Sequence, residues 1–209
     1  MEPSQTLIQT FRAAAEKVSA IVSEVQTMDE AMAYTVALCE SKEACQLLIS
    51  GCETALSASA QNLCDQKQQK AIAAPALSDE QTRSLALQCE QRGISFVREG
   101  LRRHLAGIDI GLTLADFGIA ETGTLVIDSS SEEVRLATMI SEVHVAVLAK
   151  NRIYASALAL EGELKQMMGA APNYSAFITG ASRTADIERV LALGVHGPLE
   201  LHILLLEEN

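Results

Sequence analysis

Between residues 180 and 198 the chain places Ser182, Arg183, Thr184, Asp186 and His196 in two glycine-flanked polar loops, Gly180-Ala-Ser-Arg-Thr-Ala-Asp-Ile-Glu188 and Gly194-Val-His-Gly-Pro198. A guanidinium, two hydroxyls and the free N–H groups of a helix start suit a bound carboxylate or phosphate. A histidine beside them could take up or release a proton near neutral pH. The same residues also fit a capped helix whose Arg183 pairs with Asp186 or another acid. Spacing alone does not separate these readings.

Three further positions invite a chemical role. Glu121 lies in Ala120-Glu-Thr-Gly-Thr124. A carboxylate on such a turn can attack an acyl group or simply hold the turn through backbone hydrogen bonds. Arg135 could clamp a carboxylate with two parallel bonds or pair with Glu132, Glu133 or Glu142. His144 sits in the apolar run Val143-His-Val-Ala-Val-Leu148, as a satisfied core residue or as a ligand. A zinc site on His144 and His196 would need ligands that the sequence does not supply, so no metal is expected.

The elements that must carry these residues follow from periodicity. Residues 176–179 read as a strand, Gly180 as a sharp turn, and Ser182 or Thr184 as the N-cap of a short helix. Ile187, Val190, Leu191 and Leu193 form its apolar face and Gly194 its stop. With the apolar run at 201–206, this predicts a βαβ unit with parallel strands and the polar loop beyond their carboxyl ends. Further strands are expected at 45–50, 94–97, 108–115, 125–128 and 143–148. Capping boxes at Thr27 and Ser78 predict helices there, residues 53–66 have a weak helical pattern, and a helix is expected over 154–168. Leu7, Phe11, Ala14, Val18, Ile21 and Val25 are spaced 4-3-4-3-4. That is a heptad seam, which could pack on its own domain or pair with a second copy through residues 5–26. The expected class is α/β: an open, mostly parallel sheet flanked by helices over 43–209, behind an N-terminal helical segment over 1–42.

The totals narrow the function. The chain has 209 residues, 48% of them apolar, with four Phe, three Tyr and no Trp, so its core must be aliphatic. A net charge of −11 argues against a general nucleic-acid binder. Cys39, Cys45, Cys52, Cys64 and Cys89 form no C-x-x-C pair and read as buried free thiols in a reducing compartment. No apolar run is long enough for a membrane span and the start lacks a basic leader, so a cytoplasmic protein is expected. No flavin, nicotinamide or iron–sulfur motif is present.

Ala120-Glu-Thr-Gly-Thr124, Arg135 with His144 nine residues on, Gly180-x-Ser-Arg-Thr-Ala-Asp-Ile-Glu188 and Gly194-Val-His-Gly-Pro198 occur in that order. Together they resemble the LUD domain as found in the lactate utilisation protein C family, over roughly residues 45–206. The resemblance implies a fold akin to the sugar-phosphate isomerase and CoA-transferase-like group. It also implies a role beside two iron–sulfur-type partners in oxidising L-lactate to pyruvate, the clusters being carried by those partners. The candidate ligand-binding residues are Thr122, Gly123, Thr124, Arg135, His144, Gly180, Ser182, Arg183, Thr184, Asp186 and Gly197, and the candidate catalytic ones are Glu121 and His196. Two departures stand out: Ala181 replaces the usual proline of Gly-Pro-Ser, and Ser141 and Glu142 replace paired prolines before the histidine. The expected function is an accessory subunit of lactate oxidation. A stand-alone acyl-transfer or isomerase-type enzyme and a regulatory small-anion-binding module are the alternatives.

Overall fold

The structure is a computed structural model that describes residues 5–43, 69–104, 107–169, 171, 173–184, 192–193 and 197–207, with backbone only at 183, 184, 192 and 193. The strand expected at 45–50, the helical pattern at 53–66 and Cys45, Cys52 and Cys64 lie outside the described residues.

Six strands make one sheet: β1 (Ala20–Val25), β2 (Ala71–Ala73), β3 (Ser95–Val97), β4 (Ile108–Ala115), β7 (Ser141–Ala149) and β12 (Glu200–Leu206). Their order is β1-β12-β7-β4-β2-β3 and every neighbouring pair is parallel. Parallel strands covered on both faces read as unbroken apolar runs, which is the pattern of β7 and β12. One face carries α2 (Met28–Ser41) and α3 (Asp79–Gln91), whose Met32, Val36, Leu85 and Cys89 pack on Ile110, Val145 and Leu204. The other face carries α1 (Gln5–Lys17), with Ile8, Phe11 and Ala15 packed among Leu148, Ile203 and Leu205. It also carries α4 (Glu132–Met139), approached so closely by β4 that a Cβ on Gly111 would lie 2.1 Å from the Ala137 carbonyl oxygen.

A second sheet stands beyond that face. It joins β8 (Ile153–Tyr154), β5 (Phe117–Ile119), β6 (Thr124–Asp128) and β9 (Ser175–Ile178), with β9 antiparallel to β6. The predicted helix caps are present. Thr27 Oγ1 accepts from the Glu30 N–H at 3.2 Å, although the Glu30 carboxylate reaches back to the Gln26 N–H at 2.7 Å rather than to Thr27. At α3 the box is complete, with Ser78 and Gln81 bonded reciprocally.

Four expectations need correction. The heptad seam is not one helix: α1 ends at Lys17, Ser19 turns the chain at φ 65°, and residues 20–25 form β1. Pairing with β12 overrides the 3.5-residue pattern, and Ile21, a seam position, is left 46% exposed. The first half of the seam is packed inside the chain itself, with Phe11 fully buried. Next, the βαβ unit around residue 180 is absent, because β9 belongs to the second sheet and β12 to the first. At the two expected ends of the helix, β10 (Arg183–Thr184) pairs antiparallel with β11 (Ala192–Leu193), while residues 185–191, the body of that helix, lie outside the described residues. The helix expected over 154–168 shortens to α5 (Glu161–Met167), since residue 154 is in β8 and the Glu121 carboxylate accepts from the Ala157 N–H at 3.1 Å. Finally, residues 132–139, left without an element between the strands expected at 125–128 and 143–148, form α4, whose first turn holds Glu132 and Glu133 where acids favour the dipole.

Lys70 closes the far end of α2. Its ammonium donates to the carbonyls of Cys39 at 3.0 Å, Glu40 at 2.8 Å and Lys42. No described helix is long and apolar enough to cross a membrane.

Candidate functional site

A cavity of about 450 Å³ opens between α4, the loop and strand from Tyr174 to Ser182, and the starts of β7 and β12. His144 is the fourth residue of β7 and Leu201 the second of β12. The cavity therefore lies at the amino-terminal half of the parallel strands, not beyond their carboxyl ends as the βαβ reading expected. Arg135 and Thr138, three residues apart on one helix face, enter it from α4.

Arg135 is half-buried. Its Nη1 donates to the carbonyls of Ser129 and, at 3.1 Å, Ser130, and its guanidinium lies 5.2 Å from the centre of the Tyr174 ring. Ser129 and Ser130 are in turn bonded to the Tyr174 backbone. Arg135 thus ties the end of β6 to the start of β9, and among the described residues its other guanidinium nitrogens hold no hydrogen bond. His144 is 1% exposed and its Nε2 lies 2.8 Å from Thr113 Oγ1. Burial lowers its pKa to about 4, so it lines the cavity as a neutral imidazole.

The two glycine loops meet here. The Ser182 N–H donates to the Pro198 carbonyl at 2.9 Å, and a Cβ on Gly197 would lie 3.2 Å from Ser182 Cβ. Gly180 has φ 78°, and a Cβ there would lie 2.3 Å from the Val18 carbonyl oxygen. Both the left-handed backbone and the close approach of the α1–β1 corner demand glycine. Gly123 answers to the same corner: its Cβ would fall 2.2 Å from the Ala15 nitrogen, against α1 and away from the cavity. Thr122, Thr124 and Thr179 form a line of hydroxyls at 2.7 and 2.8 Å, and Thr179 reaches the cavity wall.

Of the candidate residues, the cavity gathers Arg135, His144, Gly180, Ser182 and Gly197, with Thr122 and Thr124 connected through Thr179. Glu121 is not among the lining residues; it is exposed and bonded to the Ala157 N–H. The side chains of Arg183 and Thr184, and all of Asp186 and His196, lie outside the described residues. The sequence reading passed over Thr138, Met139, Tyr174, Phe177 and Thr179. Reading residues 132–139 as a helix would have put Thr138 beside Arg135. The two family departures make contacts of their own: Ser141 Oγ donates to the Ala137 carbonyl at 2.6 Å, and Glu142 accepts from Lys42 at 3.2 Å.

That lysine belongs to a polar cluster at the amino-terminal ends of the Ile108–Ala115 and Ser141–Ala149 strands. Lys42 bonds Asp109 at 3.1 Å, and Asp109, fully buried, also accepts from the Ala71 N–H at 2.7 Å. Burial works against the Lys42 ammonium, yet Asp109 and Glu142 outweigh it and raise its pKa. Nearby His202, to which the sequence assigned no role, is buried between Tyr34 OH at 2.8 Å and the Glu200 carboxylate at 3.0 Å. Cys39 and Cys89 are free and buried, with thiol pKa values pushed up by burial to about 12 and about 11. Among the described residues no group of three His, Cys, Asp or Glu is placed to hold a metal ion.

Comparison with known proteins adds an independent view. The LUD domain profile matches residues 8–206. The lactate utilization protein C of Shouchella clausii is 31% identical over 103 residues, 48% of this chain and 45% of that protein. That of Halalkalibacterium halodurans is 35% identical over 104 residues, with the same shares. An uncharacterised Neisseria meningitidis protein is 42% identical over 98 residues, 46% of this chain and 42% of that one. These matches span somewhat under half the length of each relative. A crystal structure of a DUF162 family protein from Deinococcus radiodurans superposes with a TM-score of 0.57 at 15% identity, covering 96% of both chains, a likeness of fold.

Proposed function

Because this chain belongs to the LUD domain family, we propose that it serves L-lactate utilisation as an accessory component of the oxidation to pyruvate. It works beside iron–sulfur partner proteins, and its cavity binds a small carboxylate or phosphate. The observation that carries the anion reading is one of charge. The chain has 27 acidic residues against 16 basic ones, yet the described lining of the cavity includes Arg135 and no Asp or Glu. Arg135 presents nitrogens that its structural bonds do not use. The Ser182 hydroxyl supplies a neutral donor. Thr138, whose own hydroxyl donates to the Arg135 carbonyl at 2.8 Å, and Thr179 line the cavity beside it, and His144 adds a polar wall without charge. The names of the relatives support the lactate assignment. The oxidation removes two electrons, which need an acceptor; the partners' clusters fill that role, while this chain binds and orients.

Two measurements test this reading. L-lactate or inorganic phosphate should raise the melting temperature of the wild-type protein, and Arg135→Gln should remove that rise. Arg183→Ala tests the neighbouring motif cation in the same way. Tagged protein drawn without oxygen from lactate-grown cells should bring down iron–sulfur proteins and lactate-dependent electron transfer. A bare protein would overturn the accessory role.

A further inference from the structure

The cavity is larger and more apolar than a three-carbon hydroxy acid requires. About 450 Å³ lies within the range of pockets that take ligands of drug size. At about 30 Å³ per water-sized unit it has room for roughly fifteen such units, and lactate would fill a minor part. The wall opposite the polar loop is built from large side chains left in water: Tyr174 is 59% exposed, Met139 57% and Phe177 51%. Three of the seven large apolar side chains found exposed among the described residues thus line one cavity. Gathered at one cavity, they give it an apolar flank beside its polar one.

The polar side has a matching shape. The Arg135 guanidinium carbon lies 5.2 Å from the centre of the Tyr174 ring, and its Nη1 is anchored on the carbonyls of Ser129 and Ser130. A guanidinium beside a phenol ring attracts a further π-system as well as an anion. Ser182 and Thr179 line the same cavity, with no carboxylate among the described lining to repel an anion.

We infer that the occupant of this cavity is a planar, ring-bearing organic anion of about nucleoside-monophosphate size. Its charged group is held at Arg135 and Ser182 and its ring lies against Tyr174, Phe177 and Met139. The inference rests on the anion reading above and extends it. Nucleotides, flavin phosphates and aromatic carboxylates share this chemistry, and the probes separate them.

Titration calorimetry on the full chain with flavin mononucleotide, adenosine monophosphate, phenylpyruvate, inorganic phosphate and L-lactate tests it. At least one ring-bearing anion should bind about tenfold more tightly than phosphate or lactate, the gain expected of one aromatic stacking contact. Phe177→Ser and Tyr174→Ser should remove that advantage, so that the ring-bearing anion binds no more tightly than phosphate does. Phe177→Leu, which keeps apolar bulk but no ring, should weaken the same ligand and guards against a folding defect. Arg135→Gln should weaken every probe. Phosphate or lactate binding as tightly as the ring-bearing anions overturns this inference alone, as does ring-bearing binding that the Phe177 and Tyr174 variants leave intact. No binding by any probe overturns both it and the anion reading.

Discussion

Arg135 and Lys42 are both half-buried cations near the amino-terminal ends of the central strands. Lys42 is matched by carboxylates, Asp109 and Glu142, and its charge is spent on the fold. Arg135 is held by two carbonyls and an aromatic ring, none of which neutralises it. The contrast separates a structural cation from one available to a ligand. A carbonyl fixes the position of a guanidinium and leaves its charge in place, whereas a buried carboxylate fixes both.

The largest expected effect falls on the structural side. Lys42→Met takes from the fully buried Asp109 the ammonium that lies 3.1 Å away, so unfolding free energy should drop by roughly 3–5 kcal/mol. The melting temperature should fall by roughly ten degrees in a chain of this length. A drop below about 1 kcal/mol would erase the distinction between the two cations. The second effect concerns the neutral wall of the cavity. His144 has a folded pKa of about 4 against 6.5 in the unfolded chain. The unfolded state therefore binds the proton first, and stability is lost as pH falls from about 6.5 to 4. The full loss is on the order of 3 kcal/mol. Denaturant titrations of wild type and His144→Gln across that range should diverge, with the shallower slope in the variant. The smallest effect is expected at Glu121. Exposed and bonded to one backbone N–H, it should cost about 0.5–1 kcal/mol on replacement by Gln and leave anion binding at Arg135 unchanged. A loss of binding in Glu121→Gln would join the two regions that the structure keeps apart.

The sequence made the apolar strands and the side-chain helix caps legible because both are local signals. Residues 143–148 and 201–206 are nearly unbroken apolar runs, residues 108–115 alternate in part, and Thr27 and Ser78 stand immediately before their helices with Glu30 and Gln81 three residues on. Residues 20–25 were misread because Val18, Ile21 and Val25 satisfy a heptad and a strand alike, and only the presence of β12 beside them decides. The same holds for β9. The strand read over 176–179 overlaps it at residues 176–178, but its place in the second sheet was not legible, since pairing with β6 is information that the segment does not contain. At the cavity, the polar half was visible as Arg135, His144, Gly180, Ser182 and Gly197. The other half was not, because Tyr174, Phe177 and Met139 are ordinary residues whose shared wall exists only once two layers pack. Gly123 and Gly180 show a different limit. Their motifs suggested ligand contact, while the crowding around them comes from Ala15 and Val18 of the chain's own first helix and turn.

Lys70 has a consequence for how the chain can change. It stands one residue before β2 begins, and its ammonium gathers the carbonyls of Cys39, Glu40 and Lys42 at the end of α2. A single side chain thereby welds a helix end to the entrance of a central strand, so neither can fray without breaking bonds of the other.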